Sequence, residues 1–393
     1  YPGAIFVSVG EAPGYAVTLE EFISGAKGEP PSVELSGRDE AGLYFTSGTT
    51  GRPKPILLTH DNLYSACLVE RSHHGQTRED NFLCIPPLYH TGAKMHWFGN
   101  LLAGAPAVIL KGAKPEWILD AVSREGCTIV WLLVPWAQDI LDALEEGSLK
   151  LSDYNLSQWR LMHIGAQPVP PSLIKRWLKV FPNHSYDTNY GLSEATGPGA
   201  VHLGVGNVHK VGAIGIPGEG WETLIVDAEK GTKVAEGETG ELLLKGPGVM
   251  RCYYRNPEAT ALAFDEEGWL RTGDLCRRDE DGFIYLVDRK KDLVIVGGEN
   301  VFPVEVEDFL RSIPKVRDAA VIGAPHERLG EVVVAIVDAS EEGELTEKDI
   351  LARCAELPRY KRPVRVHFDS VPRNPTGKIE KPKLREKYGK GED

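Results

Sequence analysis

No cysteine in this chain lies two residues from another. The six thiols, at Cys67, Cys84, Cys127, Cys252, Cys276 and Cys354, have mostly apolar neighbours and form no C-x-x-C pair. That pattern leaves free buried thiols in a reducing compartment. Positive charge is also in deficit: the formal net charge is −13, which argues against a general nucleic-acid or anionic-membrane binder. No apolar run is long enough to cross a bilayer. The longest, Cys127 to Ala137, falls short of the ~20 residues a span needs and contains Pro135, so it reads as a buried strand and its exit. The first ten residues lack the basic start and small-residue cleavage site of a secretory signal. Low-complexity tracts and internal repeats are missing too. The expectation is a cytoplasmic protein with no membrane span and no nucleic-acid partner. Among eleven histidines, the adjacent His73 and His74 and the pair His90 and His96 stand out. A six-residue gap matches no usual ligand spacing, so no zinc site is expected.

What is present is ordinary globular material, 42% hydrophobic and 26% charged. With 393 residues and single cores that seldom grow past ~250–300, at least two cores are required. Charge is unevenly distributed. Residues 358–393 carry eleven Lys/Arg against five Asp/Glu, a balance of +6 that leaves −19 on the rest. A basic tail on an acidic body points to an anionic ligand or to a solvated helix face.

Probable strands and Gly/Pro-rich turns run to Gly37, and a short strand, Ala41 to Thr46, then enters a Gly/Ser/Thr loop. A helix over Asp61 to Glu70 with Thr59 or Asp61 as cap follows. Strand and helix patterns alternate from there to about Asn189, which predicts α/β layers with much parallel pairing. From about residue 205 to 290 short strands separated by Gly, Pro and Asp-Gly predict a β-rich subdomain. The charged island Asp288 to Asp292 precedes a last α+β module. The predicted organisation is a large domain over 1–290 and a small C-terminal domain over 291–393.

Four segments carry chemistry. In Thr46-Ser47-Gly48-Thr49-Thr50-Gly51-Arg52-Pro53-Lys54, glycines allow close backbone approach and the hydroxyls, amides and Lys54 suit a polyphosphate. It is not a Walker loop, because the lysine follows the second glycine by three residues. Asn189-Tyr190-Gly191-Leu192-Ser193-Glu194 offers a stacking face, a hydroxyl and a carboxylate fit for magnesium. In the third segment Asp274 is placed to accept ribose hydroxyls, with Tyr285 and Arg289 shortly after it. The fourth, Arg373 to Ile379, is a turn that presents Lys378. Taken singly each has a bland reading as surface turn, core aromatic or solvated charge.

In this order the four segments resemble the adenylate-forming superfamily of acyl-CoA synthetases, peptide-synthetase adenylation domains and beetle luciferases. The resemblance covers about Gly42 to Lys387. It implies a large multi-layer α/β adenylate-binding domain with a mobile C-terminal α+β lid. It also implies an ATP site built from Thr46, Ser47, Gly48, Thr49, Thr50, Gly51 and Lys54, with Gly165, Ala166, Gln167, Asn189, Tyr190, Gly191 and Ser193 around the adenine. Glu194 becomes the Mg2+ ligand, Asp274 the ribose contact with Tyr285 and Arg289 close by, and Lys378 the catalytic lysine, assisted by Thr46 and Glu194. Lys291 matches the hinge, and Gly297, Gly298 and Glu299 match the border of a coenzyme A channel. Pro55, Ser193 and Cys252 depart from the usual residues and are expected to be tolerated, since Ser193 keeps the hydroxyl and the other two lie beside the chemistry. Family members carry roughly a hundred or more residues ahead of the position of Tyr1, a stretch of domain scale, so this chain is expected to be a piece of a longer one or to lack that part.

The implied activity is conversion of a carboxylic acid and ATP to an acyl-adenylate and pyrophosphate, followed by transfer to coenzyme A. His90 stands where amino-acid-activating relatives supply an acidic partner, which disfavours amino-acid substrates. An apolar acyl or aryl pocket is expected from Tyr89, His90, Trp136, Gly191, Ala195 and Thr196. A ligase that loads a carrier protein and a silent nucleotide-binding regulator remain as alternatives, and the oligomeric state stays open, a homodimer included.

Overall fold

A computed structural model describes residues 4–11, 13–26, 28–29, 32–46, 54–165, 169–202, 207–339, 345–374 and 378–390. By contacts the chain divides into two units, Tyr1–Asp39 and Glu40–Asp393. The first contains a short parallel pair, Val7–Ser8 with Val17–Thr18, and the helix Leu19–Ile23. Sequence reading gave only strands and turns here. The helix starts from a capping box in which Thr18 and Glu21 satisfy each other's backbone amides.

The centre of the second unit is a five-stranded parallel sheet. Its order is Ala107–Ile109, Phe82–Cys84, Ile129–Leu133, Leu161–Gly165 and Ser185–Asp187. The two central strands are buried at every residue, as expected for a parallel sheet covered by helices on both faces. The amphipathic helices Pro115–Glu125, Val134–Glu145 and Pro171–Val180 cover one face, with Ile118, Ile140 and Trp177 fully buried in the same core as Leu132 and Ile164, and Ala93 of the helix Thr91–Leu102 packs with Ile129, Trp131 and Leu161 on the other. A crevice opens outside the carboxyl ends of such strands. Gly165, Thr188 and Asn189 stand there.

Three further sheets position the site. The hairpin Glu40–Thr46 with Lys54–Thr59 pairs on its free side with Cys252–Tyr253. The region expected to be β-rich is a four-stranded antiparallel sheet ordered Glu222–Val226, Gly240–Lys245, Leu270–Arg278 and Ile284–Arg289. The C-terminal module joins Glu299–Val301, Val294–Val296, Gly330–Ala339 and Val316–His326, with Arg365–Phe368 added parallel to Gly330–Ala339. Its central strand is apolar at both phases of the pleat. Val333, Ala335 and Val337 face the core of the helix Pro303–Arg311, whereas Val332, Val334 and Ile336 face that of the helix Lys381–Tyr388. The α/β layers and the smaller C-terminal module agree with the sequence expectation.

All six cysteines are free and five are buried. No helix among the described residues is long and apolar enough to cross a membrane.

Candidate active site

The hairpin pairs Thr46 directly with Lys54. Residues 47–53, including the predicted phosphate contacts Ser47, Gly48, Thr49, Thr50 and Gly51, connect that pair and lie outside the described residues, as do Ala166 and Gln167. Three contacts fix the hairpin's surroundings. Thr59 caps the helix His60–His73 in a box with Asn62, and Asn62 donates to the carbonyls of Pro247 and Val249 at 2.8 and 3.0 Å. The Lys54 ammonium stands 5.2 Å from the Tyr253 ring centre. Tyr253 in turn donates to Glu194 Oε1 at 2.9 Å. Tyr253 was not among the residues singled out from sequence, because its value comes from strand pairing with Ile56 across nearly two hundred positions.

Glu194 lies half-buried in the single 3-10 turn Ser193–Ala195. Thr196 closes that turn in the left-handed region with φ 63°, and its hydroxyl donates to the Gly248 carbonyl at 2.6 Å. A half-buried carboxylate held by a phenol whose ring also faces the Lys54 ammonium is a donor that suits a hard, oxygen-seeking cation. Gly191 is required by space: a Cβ there would lie 2.2 Å from the Gly197 carbonyl oxygen.

Asp274 sits in the strand Leu270–Arg278, directly opposite Arg289 on the strand Ile284–Arg289. Its carboxylate accepts the Tyr190 hydroxyl at 2.5 Å and meets Arg289 Nε at 3.5 Å. Burial, with Asp274 beside it, raises the Tyr190 phenol well above its ordinary value, so it stays a donor. Lys378 arrives from the C-terminal module on a turn closed by two mutual bonds. The Lys378 amide donates to Asn374 Oδ1, and the Asn374 amide to the Lys378 carbonyl, both at 3.0 Å. Burial and the neighbouring Arg289 pull its ammonium down to about 8, against Asp274 and Glu194.

Tyr190, Asp274, Arg289 and Lys378 share one cavity of about 490 Å³, whose lining does not include Lys54, Glu194 or Tyr253. Asn189, Tyr190, Gly191, Ser193, Thr196, Asp274, Tyr285, Arg289 and Lys378 line it, together with His90 and Trp131. His90 is pushed down to about 4 by burial, with Lys378 and His96 acting the same way, so the ring is neutral at pH 7.

Several expectations do not meet at this wall. Trp136 packs against the central core instead; the indole at the cavity is Trp131, inside the strand Ile129–Leu133. Tyr89 is 65% exposed and Ala195 is buried in a different core cluster, and neither borders the cavity. Gly165 ends its strand beside the Thr188 hydroxyl. Gly297 and Gly298 form an exposed tight turn at φ 60° and 91° with Glu299 after it, away from the cavity lining. Lys291 is exposed in the turn following Arg289.

The basic tail is spent largely in local pairs. Lys361 meets Glu305, Lys381 meets Glu307 and Arg385 meets Asp292 at 2.7, 2.8 and 2.6 Å.

Residues 7–254 match the family model described as AMP-binding enzyme, and residues 305–378 match that described as AMP-binding enzyme C-terminal domain. The chain is 36% identical over 358 residues to a 4-coumarate–CoA ligase-like protein of Arabidopsis thaliana, covering 89% of this chain and 62% of that one. It is 34% identical to the long-chain-fatty-acid–CoA ligase FadD13 of Mycobacterium tuberculosis, covering 95% of this chain and 72% of that one. Among solved structures it resembles ATP-bound MatB from Rhodopseudomonas palustris with a TM-score of 0.87 at 30% identity, over 96% of this chain and 74% of that one. The chain thus spans under two thirds of the plant relative and about three quarters of the others.

Proposed function

Because the chain belongs to the AMP-binding enzyme family, we propose that the protein of which it is a part activates a carboxylic acid with ATP and transfers the acyl group to coenzyme A. The observation that carries this reading is the convergence of Lys378, Asp274, Arg289 and Tyr190 on one cavity that His90 and Trp131 also line. A cation from the C-terminal module, a ribose-type carboxylate and an uncharged aromatic wall meet in one space.

In the first half-reaction a carboxylate oxygen of the acid forms a bond to the α-phosphorus of ATP while the bond to pyrophosphate breaks. Both reactants are anions, so catalysis is positioning and charge neutralisation. Asp274 accepts the ribose hydroxyls, Lys54 and the hydroxyls after Thr46 hold the phosphates, and Lys378 sits where the two anions approach. Glu194 would hold the Mg2+ that screens the phosphates. In the second half-reaction the thiol sulfur of coenzyme A forms a bond to the acyl carbon, the carbon–oxygen bond breaks, and AMP departs with the electron pair. The lysine is then no longer needed. We propose Lys291 as the hinge that exchanges Lys378 for the turn Gly297-Gly298-Glu299, which would border the thiol's channel. On this division residues 1–290 form the nucleotide and acid domain and 291–393 the lid. The acid class is fatty, alicyclic or aryl, because the indole of Trp131 and the uncharged ring of His90 line the cavity. A cytoplasmic location follows from the same reading, since ATP and coenzyme A are supplied there.

The test is a carboxylic-acid panel scored by pyrophosphate release with and without coenzyme A, on the full-length protein. Pyrophosphate release that depends on an acid, with acyl-CoA formed when the thiol is added, is expected. Release with no acid in the panel would overturn the activity, and release without acyl-CoA formation would overturn the acceptor.

A further inference from the structure

A second set of ionisable side chains, which the reaction above does not use, gathers behind the aromatic wall. Glu70 and His73 are three residues apart on the helix His60–His73, and so on one face, with His74 as its C-cap. The helix Thr91–Leu102 packs against it and brings in His96. One ligand-type atom from each of Glu70, His73, His74 and His96 lies within 4.8 Å of the other three. Glu70 Oε2 is 2.7 Å from His73 Nε2 and 2.9 Å from His96 Nε2.

Two of the rings are oriented from behind. His73 Nδ1 meets Asp187 Oδ2 at 2.7 Å, and His96 Nδ1 meets the Gly92 carbonyl at 2.8 Å. A carbonyl only accepts, so His96 Nδ1 carries the hydrogen, and Nε2 is the nitrogen turned to the carboxylate, where a proton or a metal ion can stand between the two. Nδ1 of His74 has no hydrogen-bond partner among the described residues, and both rings are at least 97% buried. Glu70 is itself held by Asn189 Nδ2 at 3.0 and 3.1 Å.

We propose that Glu70, His73, His74 and His96 bind one divalent transition-metal ion of the zinc class. Three imidazoles and a carboxylate suit zinc, nickel or cobalt and disfavour magnesium or calcium. The outer contacts from Asp187 and the Gly92 carbonyl are those that fix ligating histidines in productive tautomers. Tetrahedral ligand bonds of about 2.0–2.2 Å place the ligand atoms roughly 3.3–3.6 Å apart, so Glu70 Oε2 has to withdraw by about half an ångström from the two nitrogens it now touches as the ion enters between them. The ion takes the place of the proton shared by His73 and Glu70, so its binding releases protons. Glu70 and His96 also border the cavity, and the ion would therefore fix the floor on which the acid rests.

The experiment uses the untagged chain, stripped with a chelator, shown to be folded by circular dichroism, and titrated with cobalt(II). Visible d–d absorption that saturates at one ion per chain, a matching zinc content by elemental analysis and a higher melting temperature with zinc are expected. Glu70→Gln and His74→Gln should each weaken cobalt binding by ten-fold or more. A folded, stripped wild-type chain with no spectral change at saturating cobalt would overturn the proposal. So would cobalt binding that both variants leave unaltered, since the ion would then lie elsewhere.

Discussion

The Tyr190 hydroxyl donates to Asp274 Oδ2 at 2.5 Å, a bond that joins the end of one sheet to the middle strand of another. Asp274 therefore faces the cavity already oriented, one oxygen held by the phenol and the other near Arg289. Hydrogen bonds to a charged group are worth about 1.5–3 kcal/mol. Asp274→Ala should raise KM for ATP by roughly ten- to a hundred-fold on that scale. Tyr190→Phe should have a smaller effect of the same sign, because Arg289 still orients the carboxylate. Steady-state kinetics with ATP varied checks both, and unchanged ATP dependence in Asp274→Ala would remove it from the ribose site.

Lys378→Ala should abolish most adenylate formation and spare thioester formation from supplied acyl-AMP, since its charge matters only where two anions meet. Pyrophosphate release and acyl-CoA formation, measured separately, decide it. Equal losses in both steps would contradict the role.

With its pKa pulled down to about 8, Lys378 loses its charge in the free enzyme above that pH. The plot of log kcat/KM for ATP in the first half-reaction should therefore turn downward near pH 8. In Lys378→Arg the guanidinium stays charged, so the descending limb should move to higher pH even where the rate is lower. A limb that stays in place in this variant would belong to another group.

At Gly191 the Gly197 carbonyl leaves no room for a methyl group. Gly191→Ala should displace one backbone segment against the other at a cost of about 1–3 kcal/mol. Thermal unfolding should show a lower melting temperature, and KM for the acid should change more than that for ATP. A variant with wild-type stability and acid preference would show that the segment moves freely.

Lys291→Pro fixes φ near −65° at the proposed hinge. One half-reaction should persist while the other is lost, as read by the same two assays. If both keep their rates, the hinge lies elsewhere.

The legible parts of this molecule were those whose chemistry is written in consecutive residues. Thr46 to Lys54, Asn189 to Glu194 and the turn ending at Lys378 are each local, and their order alone indicated a common ligand. The parallel sheet was legible because Ile129–Leu133 is apolar at every residue and Leu161–Gly165 at every residue but His163. Within Cys127 to Ala137, however, sequence cannot tell which indole faces the cavity. The strand ends at Leu133 and a helix begins at Val134, which turns Trp136 onto the core and leaves Trp131 at the wall. Tyr253 and the group around Glu70 were hidden for a different reason. Strand pairing brings in Tyr253, and helix packing sets His96 of the helix Thr91–Leu102 against Glu70, His73 and His74; only the short spacing of the last three is written along the chain.

Asp274 and Arg289 are partners across one hairpin, and the Lys290 amide donates to the Gly273 carbonyl at 2.9 Å to extend that pairing. Lys291 follows at once. On the proposed reading the same two strands would both hold the nucleotide and anchor the segment about which the lid turns. An alanine scan along them would not separate affinity from gating, because every substitution changes both ends of one lever. Their individual shares become measurable only when closure is frozen by other means, such as a crosslink placed far from the hairpin.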